Sequence, residues 1–144
     1  MAVRVKLRLK VKGFKEAYDA IALVNSGYEA TTPQLLIPRR LAEELKIWPN
    51  MLSKAKVVAY GTAGGTVRNY FMPGILEVSI IEEDVKPNVI MADVVISEIE
   101  EEVLISDKLA GKLGIVLEDI GEGLYALRED PERKLRKSYP PQYW

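Results

Sequence analysis

The chain has 144 residues, close to half of them apolar and 28% charged, and its 20 Lys and Arg nearly cancel its 21 Asp and Glu to leave a net charge of −1. That length fits one domain able to bury a core, and the balanced charge gives no long-range attraction to nucleic acid or a membrane surface. Cys and His are both absent, which removes disulfides, thiol chemistry, the commonest general base and the commonest transition-metal ligand. Any catalysis then falls to carboxylates, hydroxyls, Lys, Tyr or the backbone, with no metal or cofactor expected.

From Val3 to Lys12 apolar and basic residues alternate strictly, with Val3, Val5, Leu7, Leu9 and Val11 on one face, which predicts a half-buried strand. Gly13 supplies a turn, and a second strand through Ala20 to Val24 ends at Asn25-Ser26-Gly27. Pro38 is expected to open a short helix reaching Lys46, with Leu41, Ala42 and Leu45 on its apolar side, and Trp48-Pro49-Asn50 closes that unit.

A strand over Lys56 to Tyr60, a turn at Gly61 to Gly65 and a returning strand from Thr66 towards Met72 follow, the last broken by Pro73-Gly74. Ile75 to Ile81, Val89 to Ile96 and Val103 to Ile105 read as further strands. A helix from Asp107 to Leu113 is expected next, capped by Ser106 and stopped by Gly114. Ile115 to Leu117 and Leu124 to Leu127 should pair across Gly121-Glu122-Gly123.

The apolar pattern stops near Arg128. Residues 1–128 are therefore expected to form the domain, and 129–144, with Tyr139, Tyr143 and Trp144, a solvated tail or a docking arm. No apolar run is long enough to cross a bilayer, and the alternating N-terminus is unlike a signal peptide, so a cytoplasmic location is expected.

Three segments together resemble the retropepsin family, the retroviral-type aspartic proteases. Ala22-Leu23-Val24-Asn25-Ser26-Gly27 is similar to the family's apolar-apolar-Asp-Thr/Ser-Gly turn, with Asn25 at the position of the catalytic Asp. Ala59-Tyr60-Gly61-Thr62-Ala63-Gly64-Gly65 resembles the tip of the family's flap hairpin. Val103 to Gly114 looks like its apolar segment and following helix, with Ser106 where the family has a small Gly.

The resemblance implies a mainly β fold, a closed barrel with two short helices, acting as a homodimer in which each copy supplies half of the site. It implies that Asn25, Ser26 and Gly27 occupy the catalytic turn, Ser26 bonding across the subunit interface, and that Glu29, Gly61, Thr62, Gly64 and Gly65 contact a polypeptide. The helix from Pro38 to Lys46 is an insertion relative to compact viral members, and Asp107-Lys108 departs from the pattern that forms an interface ion pair there.

In such a site two adjacent carboxylates share one proton, so that one activates water while the other donates to the scissile carbonyl. A carboxamide neither ionises near neutral pH nor takes a proton from water. Peptide hydrolysis is accordingly expected to be absent or very slow with Asn25 in place, whether that residue is natural or an inactivating substitution. A non-enzymatic β-rich binding or scaffold protein is the alternative, and in a purely local reading Asn25 caps a turn.

Overall fold

A computed structural model describes residues 1–144. The chain forms ten strands and two short helices: β1 Arg4–Val11, β2 Ala17–Val24, β3 Gln34–Pro38, α1 Arg39–Glu44, β4 Lys56–Thr62, β5 Gly65–Ile80, β6 Ile90–Ser97, β7 Val103–Ile105, α2 Asp107–Leu113, β8 Ile115–Asp119, β9 Leu124–Leu127 and β10 Arg136–Lys137. A 3-10 turn at Leu52–Lys54 leads into β4.

Six strands close into a barrel in the order β1-β2-β7-β3-β6-β5, because β5 pairs with β1 as well as with β6. β4 pairs only with β5 and so stands outside the closure as the free arm of a hairpin. β8, β9 and β10 make a separate three-stranded sheet.

Alternation in β1 decides which side faces inward. Val5, Leu7, Leu9 and Val11, with Val3 just before them, are all essentially buried. The intervening cations face outward onto carboxylates, with Arg4 bonded to Glu102 at 2.6 Å, Arg8 to Asp19 at 3.2 Å and Lys10 to Glu77 at 3.0 Å. The inward residues join those of β3, β5, β6 and β7 and the apolar sides of both helices in one core, where area removed from water is the main favourable contribution to folding.

Two sequence expectations are corrected. Gln34-Leu35-Leu36-Ile37-Pro38, where no element was expected before Pro38, is a strand; it lies between β6 and β7 with Leu35, Leu36 and Ile37 all buried. The helix is consequently shorter than expected: Pro38 is its N-cap, Leu45 its C-cap, and Lys46 at φ 63° turns the chain away. Second, Pro73-Gly74 does not break the strand. β5 runs through it as a bulge between Met72 and Leu76, with Gly74 at φ 60° and its N–H on Asp93 Oδ1 at 2.7 Å. The bulge bends β5 so that its first half builds the hairpin and its second half closes the barrel.

α2 has the expected bounds, with Ser106 Oγ accepting the Leu109 N–H and Gly114 at φ 77° ending it in the left-handed region. The β8–β9 pairing is also as expected.

Residues 129–144 lie along the barrel itself. Arg136–Lys137 adds β10 to β9, Ser138 Oγ accepts the Arg4 N–H, Gln142 Oε1 accepts the Ile21 N–H, and the Trp144 backbone N–H reaches the Glu101 carbonyl. No helix is long and apolar enough to cross a membrane.

Candidate functional site

β2 delivers the Asn25-Ser26-Gly27 turn to one side of the barrel, and backbone bonds fix it there. The Asn25 N–H donates to the Ile105 carbonyl at 3.1 Å, and the Asn25 carbonyl accepts the Tyr28 N–H at 3.0 Å. Its side-chain oxygen accepts the Gly27 N–H at 3.1 Å. That local bond is an Asx turn, the conformation for which a short carboxamide is suited.

The following segment is tied to the start of α2. The Asp107 N–H donates to the Tyr28 carbonyl and Asp107 Oδ1 accepts the Ala30 N–H at 3.0 Å. Tyr28 O–H donates to Gln34 Oε1 at 2.9 Å. Asp107 is therefore occupied in holding the segment that carries Glu29.

Opposite the turn stands the β4–β5 hairpin. Thr62 and Gly65 face each other across its end, Ala63-Gly64 make the bend, and Thr62 Oγ1 donates to the Gly65 carbonyl at 2.6 Å. Gly65 sits at φ 114°, a backbone region that glycine occupies without a side-chain clash. The expected turn at Gly61 to Gly65 is thus tighter, with Gly61 and Thr62 belonging to β4.

Between turn and hairpin lies a groove of about 390 Å³. Asn25, Gly27 and Glu29 line it from the turn side, and Tyr60, Gly61 and Thr62 from the hairpin. Leu36, Ser97 and Leu104, from β3, β6 and β7, line it from the barrel. Of the residues singled out by sequence, Ser26, Gly64 and Gly65 do not line it: all three are exposed, Ser26 in its turn and the glycines at the hairpin end.

Several lining residues carried no sequence signal. Glu100 reaches the groove because Ser97 Oγ accepts both the Ile99 and Glu100 N–H groups, at 3.2 and 3.0 Å, and folds the chain back after β6. Asn69, on β5, is buried within the lining and its Oδ1 has no hydrogen-bond partner. Burial raises the Tyr28 and Tyr60 phenols above their ordinary value, so both stay protonated at neutral pH and neither serves as a base there.

A larger hollow of about 600 Å³ lies beside the C-terminal segment, lined by Glu82, Asp84, Tyr125, Arg136 and Tyr139 among others. Most of its buried polar groups bond one another: Arg136 bonds Asp84 and Asp130 while its Nε stays without a partner, and Glu82 accepts the Tyr125 and Tyr139 hydroxyls. It fastens the segment to the barrel. No group of three or more acidic side chains is gathered closely enough to hold a metal ion.

The molecule is therefore a closed β-barrel carrying a groove of mixed polar and apolar lining between an Asn-Ser-Gly turn and a glycine-bearing hairpin. No family model matches the chain, and no curated protein matches it in sequence.

Proposed function

We propose that the chain is a retropepsin-like aspartic peptidase homologue, a homodimer with a polypeptide cleft between its copies, inactive or nearly so because Asn25 stands at the catalytic-acid position. One observation carries the reading. Residues far apart in sequence, Asn25, Gly27 and Glu29 from the turn and Gly61 and Thr62 from the hairpin, share a single groove. The six-stranded closure with a projecting hairpin and a capped helix after β7 supports it.

One copy supplies one turn, so the full site requires two. Ser26 is exposed and its hydroxyl makes no bond within the chain, which leaves it available to a second copy. The hairpin offers backbone groups to an extended peptide and, by closing over it, would exclude water. With two carboxamides where two carboxyls would share a proton, the dimer has a cleft without a general base.

A peptide-binding module without chemistry is the second reading, favoured by a groove whose turn carries a carboxamide, which cannot act as a general base. Sedimentation at micromolar concentration tests what the first reading requires. A dimer is expected, and a strict monomer removes the composite site.

A further inference from the structure

The charge around the groove is one-sided. Glu29 and Glu100 line it, and no Lys or Arg does. Neither carboxylate takes part in an ion pair within the chain. In the same run Glu98 is approached by Arg39 at 4.0 Å and Glu102 is bound by Arg4 at 2.6 Å, while Glu101, outside the groove, has no ion pair either. Within that acidic run, a residue lining the groove is left without a cation.

Two exposed acids alone would be ordinary solvated charges. Asn69 adds an independent observation, because it is only 3% exposed, lies in the groove lining, and leaves its Oδ1 without a donor. A buried acceptor without a partner is unfavourable, and a donor arriving with a ligand would relieve it. Two charged acceptors thus stand at the rim, and Asn69 Oδ1, enclosed in the lining, becomes reachable to a ligand's donor by rotation of its side chain.

We propose that the groove selects extended polypeptide segments bearing a Lys or Arg side chain, whose cationic head is held by Glu29 and Glu100 while a donor of the same segment satisfies Asn69 Oδ1. This rests on the peptide-cleft reading above and adds to it the chemical class of the occupant. An extended chain suits the site because β4 has an unpaired edge, and Gly61 and Thr62 at its end line the groove with little side-chain bulk.

The test uses four fluorescent peptides of equal length and uncharged sequence, differing only in a central Lys, Arg, Gln or Glu, with binding followed by anisotropy. The Lys and Arg peptides are expected to bind about tenfold more tightly than the Gln peptide, and the Glu peptide more weakly than it, with the spread narrowing as salt is raised. Glu29→Gln combined with Glu100→Gln should bring all four within about twofold of one another. Both side chains are exposed, so the double variant should melt like the parent. Glu118→Gln, an exposed acid outside the groove, should preserve the ranking. Equal binding of the four peptides by the parent overturns the cationic preference and leaves the peptide cleft standing. Failure of all four to bind overturns both.

Discussion

The side-chain oxygen of Asn25 accepts the Gly27 N–H at 3.1 Å, so the residue proposed to stand at a catalytic-acid position is oriented by its own turn. A carboxylate of nearly the same shape can accept the same bond. Asn25→Asp is therefore expected to change stability by less than about 0.5 kcal/mol. It is also expected to create cleavage of unfolded polypeptides at acidic pH, where a pair of facing carboxyls shares one proton. Incubation of parent and variant with an unfolded substrate across acidic to neutral pH gives the answer. A folded, dimeric variant that cuts nothing would identify the groove as a binding site only.

Ser106 binds two elements at once: its buried Oγ accepts the Leu109 N–H at 3.2 Å, capping α2, and the Gln34 N–H at 3.0 Å, at the start of β3. Ser106→Ala leaves both donors without that acceptor. The expected cost is about 2 kcal/mol, combining a lost cap with a second orphaned N–H. Urea denaturation should show a lower midpoint with an unchanged slope. An unshifted midpoint would mean that neither bond matters to the folded state.

That serine also shows what sequence could and could not convey. Its capping role follows from local chemistry and was legible, as were the alternation of β1, the bounds of β7 and α2, and the turn that places Asn25. Leu35-Leu36-Ile37 was not, because a strand buried on both faces has no period to reveal it and the next residue, Pro38, signals a helix start. Pro73-Gly74 looks like a break in sequence; tertiary structure converts it to a bulge by giving the Gly74 N–H to Asp93, nineteen positions away. Glu100 and Asn69 belong to the groove only because separate strands meet around it. A one-residue pattern cannot encode such a meeting.

The two glycines at the hairpin end should respond differently to substitution. A side chain at Gly64 would meet only Thr62 Oγ1, at 3.9 Å, and its backbone has no left-handed φ. Gly65 lies at φ 114°, where a β-branched residue is strained by about 1–3 kcal/mol. Gly65→Val should accelerate amide exchange across Tyr60 to Val67, whereas Gly64→Val should leave exchange near the parent rate and weaken peptide binding by stiffening the bend. Hydrogen exchange followed by mass spectrometry separates the two, and equal exchange in both variants would remove the special role of Gly65.

Arg136 makes the C-terminal segment sensitive to acid. Its side chain is nearly buried and bonds Asp84 at 2.9 and 2.8 Å and Asp130 at 3.1 Å. The Arg136 hydrogen bonds hold the Asp84 carboxyl well below its ordinary value of 3.8, and the Lys134 backbone N–H, ahead of Arg136, lowers that of Asp130. With both values depressed in the folded protein, the unfolded chain binds more protons in this range, so stability rises with pH there. The contribution is complete above the ordinary carboxylate range and is lost as pH falls from 3.8 through the depressed values. Residues 129–144 should therefore loosen before the barrel does. A Trp48→Phe background leaves Trp144, packed against the core, as the one remaining indole. As pH is lowered from 3.8 towards about 2 its emission should shift to the red while strand circular dichroism persists. Arg136→Met should produce that shift already at neutral pH, since Asp130 would keep its charge at 8% exposure without its cation. An unshifted spectrum in that variant would show that the segment's other hydrogen bonds and apolar contacts hold it without Arg136.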